Sequence, residues 1–150
     1  FAKASSTGTK VAMVAYVGSE TDHGYRHGLA IAMTDESDKM DWETAKNTCK
    51  SKTAPFSPSE WVFPSRDQWS AMFQANGGYR REYTGLNTAL QTVGGDPLNR
   101  DTYYWTSSEE STRVFCMKVI YNKVNEDGIS FEGAFSNADT KHYVRACLAF

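Results

Sequence analysis

Histidines are the side chains in this sequence whose spacing first suggests chemistry. His23 and His27 are four residues apart, which is a metal-ligand spacing on a helix. Gly24 and Gly28 disfavour a helix there, and no third ligand lies nearby in the sequence. His142 stands in a polar stretch with no evident partner. A turn beside a strand edge is therefore the favoured interpretation, and no metal site is expected.

Two clusters of acidic residues are the next candidates for a catalytic or calcium-binding site. Adjacent side chains of a strand point to opposite faces, so Glu109 and Glu110 are not expected to share an acid–base site. One of the two is expected to be structural and the other exposed. The acidic run from Asp35 to Asp38 has the ligand type that calcium prefers, but a solvated loop is the favoured interpretation.

Nucleophile and phosphate motifs are missing from the sequence. Cys49, Cys116 and Cys147 are far apart and show no C-x-x-C spacing, which disfavours a zinc site. The sequence contains no G-x-S-x-G, G-x-x-x-x-G-K or G-x-G-x-x-G motif. A Cys–His or Ser–His pair formed by the fold stays open. We expect no catalytic residue, no cofactor and no enzymatic activity.

Length and charge exclude several function classes. The chain has 150 residues, with 16 Lys and Arg against 18 Asp and Glu, for a net charge of −2. This balance lacks the basic excess typical of proteins that bind nucleic acid or anionic membranes. No apolar stretch approaches the ~20 residues of a membrane span, so membrane insertion is not expected. Residues 1–10 are expected to be a linker, and residues 11–150 one domain.

Hydrophobic periodicity predicts strands at both ends of the chain and helices between them, which is an α+β class. Asp41 is a predicted N-cap, and Ser65 with Gln68 forms a predicted capping box. The predicted strands cover 11–17, 29–33, 103–106, 113–121 and a last strand in which Val144, Ala146, Leu148 and Phe150 alternate. The predicted core comprises Trp42, Trp69, Met72, Leu86, Leu90, Val144, Ala146 and Leu148. Trp61 and Trp105 fit either a core or an exposed position.

Two polar stretches in the last third of the chain differ from the remainder. Residues 107–112 and 133–142 interleave small polar residues with aromatic ones. This composition is typical of antibody paratopes, where aromatic anchors accompany adaptable hydrogen-bonding groups. Ordinary loops are the alternative.

The order of four motifs resembles C-type-lectin-like domains of bacterial surface proteins. These are Trp42-x-x-Ala45-x-x-x-Cys49, the cap Trp61-Val62-Phe63-Pro64-Ser65, the strand Tyr104-Trp105-Thr106-Ser107-Ser108-Glu109, and the terminal Val144-Arg145-Ala146. Together they span the chain from about Val11 to Phe150. Within that group the chain is most similar to variable proteins of diversity-generating retroelements, of the gut Bacteroides and phage type.

This resemblance implies a C-type-lectin-like fold with small mixed or antiparallel sheets, two to three helices, and adjacent N- and C-terminal strands. It implies a ligand-binding display domain at a cell or virion surface, as part of a larger chain or assembly. Its partner would be a protein or a surface glycan. The E-P-N, Q-P-D and W-N-D motifs of calcium-dependent lectins are missing, so calcium-mediated sugar binding is not expected. It also implies that Cys49 and Cys147 lie close together, bonded or not according to the compartment, with Cys116 a buried free thiol.

We expect the binding face in the two polar stretches, brought together if the terminal strand pairs beside the strand of Phe115. The face would comprise Glu110, Ser111, Thr112, Phe115, Phe135, Asn137, Asp139, Lys141, His142 and Tyr143. Phe115, Phe135 and Tyr143 would be its aromatic anchors, unless the two phenylalanines are ordinary core.

Two other functions stay open. One is a structural domain of a pilus or adhesin. The other is an enzyme of the formylglycine-generating type, which shares this fold. The paired catalytic cysteines of that enzyme are not matched by Cys116 and Cys147.

Overall fold

The computed structural model describes residues 2–3, 8–19, 27–78, 83–120, 128–135 and 140–150 of the chain. The elements, in chain order, are β1 (Ala2–Lys3), β2 (Lys10–Val17), β3 (Gly28–Ala32), α1 (Trp42–Ser51), β4 (Glu60–Val62), α2 (Arg66–Ala75), α3 (Tyr83–Thr92), β5 (Thr102–Glu110), β6 (Arg113–Ile120), β7 (Gly128–Phe135) and β8 (Cys147–Ala149). Three helices and two antiparallel sheets confirm the predicted α+β class. None of the helices in the described part combines the length and apolar character that a bilayer crossing requires.

The larger sheet has five strands in the order β1-β2-β3-β8-β4. The last strand, β8, therefore lies between β3 and β4. It has no pairing with β1 or β2. Ala2 and Lys3 pair with β2, although they fall in the segment expected to be a linker. All five residues of β3 are buried, as expected for a central strand.

The smaller sheet has three strands in the order β5-β6-β7. The expectation that the terminal strand pairs beside β6 is wrong, because β8 pairs with β3 and β4 in the other sheet. The terminal segment instead meets the smaller sheet before β8 begins. There Tyr143 forms a parallel bridge with Tyr104 on the free edge of β5. The last residue of the predicted strand 113–121 lies outside the described part of the chain.

Local capping explains where the helices begin. The Thr44 N–H donates to Oδ1 of Asp41 over 2.8 Å, which confirms the predicted N-cap of α1. At α2, the Gln68 N–H donates to Ser65 Oγ and the Ser65 N–H donates to Gln68 Oε1, which confirms the capping box. Trp69 of α2 and Trp42 of α1 are buried in the two core clusters.

The core consists of two clusters on opposite sides of the five-stranded sheet. One contains Trp69, Leu86 and Leu90 with α2 and α3, and the other contains Trp42 and Trp105 with α1. All eight predicted core residues are buried, and so are the two tryptophans left open. The two sheets are thereby joined, since β5 and β6 contribute to both clusters.

The terminal segment alternates between these clusters. Cys147 and Ala149 face the first cluster, whereas Ala146 and Leu148 face the second. The predicted alternation is therefore present, but neither face is exposed and the regular strand covers only Cys147–Ala149. Burial of both faces follows from the central position of β8 between β3 and β4.

Candidate functional site

Seven of the ten predicted binding residues have described side chains, and the fold distributes them over two regions. Glu110, Ser111, Thr112 and Phe115 belong to the β5–β6 hairpin, and Lys141, His142 and Tyr143 to the segment beside β5. Phe135 ends β7, opposite Arg113. Asn137, Asp139 and the side chain of Phe135 lie outside the described part of the chain.

The tip of the β5–β6 hairpin is fully exposed. Glu110 pairs with Arg113 in the ladder, and Ser111 and Thr112 form the turn. Ser111 adopts a positive φ of 56°, which residues other than glycine rarely adopt and which occurs mainly in turns. Glu109 and Glu110 are both exposed, so the expectation that one of them is structural is wrong. Both lie near the end of β5, where Glu109 pairs with the buried Val114 and Glu110 with the exposed Arg113.

Phe115 is half-buried under another side chain. The guanidinium of Arg66, at the start of α2, lies 4.1 Å from the centroid of the Phe115 ring. The Arg66 N–H donates to Ser108 Oγ over 2.9 Å, which fixes this end of the helix against β5. Phe115 also shares its sheet face with the core residue Met117, two residues along β6. It is therefore partly a packing residue, as the alternative for this position anticipated.

Backbone hydrogen bonds on both sides hold the segment of His142. Its N–H donates to Met40 O over 3.1 Å, and its own carbonyl accepts the Met40 N–H over 3.0 Å. On the other side, the Trp105 N–H donates to Tyr143 O, and the Tyr143 N–H donates to Tyr103 O. The segment thus lies between the loop of Met40 and the edge of β5, and it is not the free polar loop expected from sequence.

The imidazole of His142 packs against two aromatic rings of β5. Its centroid lies 5.0 Å from that of Tyr103, with the planes 27° apart, and 4.3 Å from that of Trp105. Trp105 is buried and its Nε1 donates to Met40 O, so it forms a fixed floor. Burial lowers the pKa of His142 from its ordinary value, and the charge of Lys39 lowers this pKa further. The imidazole is consequently neutral at pH 7.

Polar groups of β6 and β7 continue this surface. Lys118 lies opposite Tyr103, and its Nζ is 5.3 Å from the tyrosine ring centroid. The Tyr103 hydroxyl donates a long, 3.4 Å hydrogen bond to Glu132, which also accepts one from Ser130. Hydrogen bonding to Tyr103, with the charge of Glu132, raises the pKa of Lys118. We call Tyr103, Lys118, Ser130, Glu132 and His142 the Tyr103 cluster.

Phe115 and His142 lie on opposite sides of the three-stranded sheet. Tyr103 and Trp105, which carry His142, alternate with Tyr104 along β5. Tyr104 pairs with Met117, on the face that Phe115 shares. Phe115 and His142 therefore cannot belong to one continuous face, and the expected single binding face is corrected on this point. The cause is that the terminal segment joins the edge of β5 instead of pairing beside β6.

Tyr143 and Lys141 differ in their surroundings. The Tyr143 ring packs on the first core cluster, 5.6 Å from the centroid of Tyr104. The ammonium of Lys39 lies over its ring at 4.9 Å. Lys141 is exposed next to His142. Lys141 and His142 are thus available to a ligand, whereas Tyr143 mainly supports the segment.

The acidic loop has a structural role. Asp35 accepts from the buried guanidinium of Arg145 and from the hydroxyl of Tyr104. Glu36 pairs with Lys52 over 2.8 Å. Among the described residues, no group of three or more His, Cys, Asp or Glu side chains is arranged to hold a metal ion. His23 of the predicted histidine pair lies outside the described part of the chain.

The three thiols are free and buried. Burial raises the pKa of Cys49 to about 12 and that of Cys116 to about 11. Burial also raises the pKa of Cys147, with a further contribution from Cys49. Cys49 belongs to the second core cluster and Cys147 to the first. Cys116 is buried on a strand, as predicted. Buried thiols with raised pKa values are poor nucleophiles.

Sequence reasoning missed Tyr103, Lys118 and Glu132 as surface residues. Counting from the turn, where Glu110 pairs with Arg113, would place Ile120 opposite Tyr103. A register shift between Trp105 and Glu109 places Lys118 there instead. Such a bulge leaves no reliable signal in a single sequence.

Comparison of the chain with protein-family models, with curated proteins and with solved structures returns no match.

Proposed function

We propose that this chain is a ligand-binding display domain with a C-type-lectin-like fold, acting at a cell or virion surface. Its binding face lies in the last third of the chain, as the resemblance to variable proteins of diversity-generating retroelements implies. The face comprises the Tyr103 cluster and Lys141, with the hairpin tip at Glu110, Ser111 and Thr112 as a second contact region. The ligand is a protein or a surface glycan.

One observation carries this proposal. Partly exposed polar and aromatic groups of three strands and one edge segment stand on a buried floor of Trp105 and Cys116. The backbone beneath them is held by the β5–β6–β7 ladders and by the bridges at His142 and Tyr143. Exposed side chains on such a scaffold can change at little cost, about 0.5 kcal/mol or less for each. One fold can therefore present many surfaces.

Two features favour binding over catalysis. The buried thiols have raised pKa values, which disfavour nucleophilic attack. The side chains of the Tyr103 cluster are held by ring stacking and long hydrogen bonds with one another. Such a mixed aromatic and polar surface suits recognition of a complementary surface.

The decisive experiment combines a binding screen with replacement of the face. The wild-type chain is applied to a glycan array and a panel of bacterial and phage surface proteins. A variant with Lys118→Ser, Glu132→Ser and Lys141→Ser, which keeps the packed rings of Tyr103 and His142, is applied in parallel. We expect binding to be lost while the melting transition stays within a few degrees. Unchanged binding by the variant, or no binding by the wild type, would contradict the proposal.

The DNA around the gene provides an independent test. We expect a second, near-identical copy of the codons for the last third of the chain, differing at adenines, beside a reverse transcriptase gene. A structural pilus or adhesin domain would have no such repeat. Absence of the repeat and of the reverse transcriptase gene would remove the diversification part of the proposal.

A further inference from the structure

A groove of about 380 Å³ lies between α1, β4 and β5, apart from the Tyr103 cluster. This volume is within the range of ligand-binding clefts. The aromatic residues Trp42, Trp61 and Phe63 form its floor. Each of these residues is 6–7% exposed, so the floor is fixed in the second core cluster and only its rim meets solvent.

The floor of the groove is apolar, because both of its indole N–H groups already donate hydrogen bonds elsewhere. Trp42 Nε1 donates to Thr106 O over 2.8 Å, and Trp61 Nε1 donates to Thr53 O over 3.1 Å. The ammonium of Lys46 lies 4.9 Å from the Trp42 ring, and that of Lys52 lies 4.9 Å from the Trp61 ring. A sugar stacks on an open aromatic face, and the ammonium groups of Lys46 and Lys52 lie over these two rings. The floor therefore suits an aliphatic or aromatic side chain better than a sugar.

The walls carry opposite charges. Lys46 and Lys50 are four residues apart on the exposed face of α1, and Glu60 and Glu109 come from β4 and β5. None of these four groups belongs to an ion pair among the residues that the structure describes. The groove thus has a cationic side and an anionic side, both available to a ligand.

The groove also reaches a sheet edge. β4 is the terminal strand of the five-stranded sheet. Its three consecutive residues, Glu60, Trp61 and Val62, all line the groove. Because successive side chains of a strand point to opposite faces, a groove lined by all three residues runs along the edge of β4 and not along one face of the sheet. Free backbone groups at a sheet edge pair with an added extended segment.

We propose that this groove binds an extended segment of a partner protein. The segment places an apolar side chain on the floor of Trp42, Trp61 and Phe63. It directs an acidic side chain to Lys46 and Lys50, and a basic side chain to Glu60 and Glu109. The proposal is independent of the display function, because it uses none of the residues of the Tyr103 cluster.

Selection from a phage-displayed library of random linear peptides tests this inference. Peptides selected on the wild-type chain are then synthesised and titrated against two double variants. Lys46→Glu with Lys50→Glu reverses the cationic wall. Lys39→Glu with Lys141→Glu makes the same change in net charge beside His142. All four lysines are exposed, so both variants are expected to fold, and melting curves check this.

We expect the selected peptides to share an apolar residue with an acidic and a basic residue on opposite sides of it. Their affinity is expected to fall by about tenfold or more for the groove variant and to stay within about twofold for the other. Equal binding to the wild type and the groove variant would overturn the proposal, as would a failure to select any binding peptide. Loss of binding only in the Lys39 and Lys141 variant would place the peptide on the Tyr103 cluster, which overturns the groove proposal while supporting the display function.

Discussion

Arg145 forms an ion pair with Asp35 across 110 residues of sequence. The guanidinium has no exposed surface, while 15% of the Asp35 side chain remains exposed. Arg145 Nη1 donates to Asp96 O over 2.9 Å, and Asp35 also accepts from Tyr104 over 2.9 Å. The pair therefore connects the acidic loop, the terminal segment and β5, which explains why an arginine occupies a core position.

Replacing Asp35 with alanine is expected to cost about 3–5 kcal/mol of unfolding free energy, because the buried charge of Arg145 would lose its counter-ion. A denaturant titration at pH 7 measures this. Asp38→Ala is the matched control, since Asp38 belongs to the same loop but is exposed, and it is expected to change stability by about 0.5 kcal/mol or less. A loss below about 1 kcal/mol for Asp35→Ala would contradict the structural role assigned to the pair.

Leu90→Ala is expected to destabilise the chain by about 2–5 kcal/mol, because Leu90 is fully buried in the first core cluster and its removal leaves a cavity. Gln91→Ala, one residue further on the exposed side of α3, serves as the control and is expected to be nearly neutral. Similar midpoints for both variants in urea would show that α3 does not pack as described.

Acidification is expected to reduce stability through His142. The pKa of His142 is lowered in the folded chain, so the folded state favours the neutral imidazole. The resulting contribution to the unfolding free energy is complete above the ordinary pKa of 6.5 and is lost as the pH falls through the folded pKa. Urea titrations between pH 7.5 and pH 5 are expected to show a smaller decline for His142→Gln than for the wild type. His27→Gln, which changes an exposed histidine, is expected to follow the wild type. Parallel declines for wild type and His142→Gln would contradict the buried stack.

The native thiols are expected to react very slowly with Ellman's reagent at pH 8. Burial raises all three pKa values, so little thiolate forms and access is restricted. A cysteine introduced by Ser37→Cys is exposed and is expected to react at once. All three native thiols should react after unfolding in guanidinium. Rapid reaction of a native thiol in the folded chain would show that its site opens to solvent.

Raised thiol pKa values also predict alkaline destabilisation. The contribution of the neutral thiols to the unfolding free energy is complete below the thiol pKa of the unfolded chain, about 9. It is lost as the pH rises toward the thiol pKa values of the folded chain, about 12 for Cys49. The unfolding free energy is therefore expected to decline above pH 9, and less so in Cys49→Ala than in the wild type when each is compared with its own value at pH 7. An equal decline in the two chains would assign the alkaline effect to other groups.

Several features of the fold follow from local sequence. Asp41 and Ser65 identify the starts of two helices because a cap hydrogen bond involves residues only three positions apart. The spacing of Leu86 and Leu90 identifies the buried face of α3 for the same reason, since a helix repeats over short distances. Burial of the tryptophans at 42 and 69 was equally predictable from helical periodicity.

The candidate site depended on information that is not local. Phe115 follows the first polar stretch of the sequence and His142 ends the second, yet strand pairing places them on opposite sides of one sheet. A register shift in β5 decides that Lys118 faces Tyr103, and the pairing of Met40 with His142 decides where the terminal segment runs. Such pairings depend on the free energy of the whole packed domain. The sequence by itself determined the helices, most strands and the core positions, whereas only the tertiary structure decided which surface side chains meet.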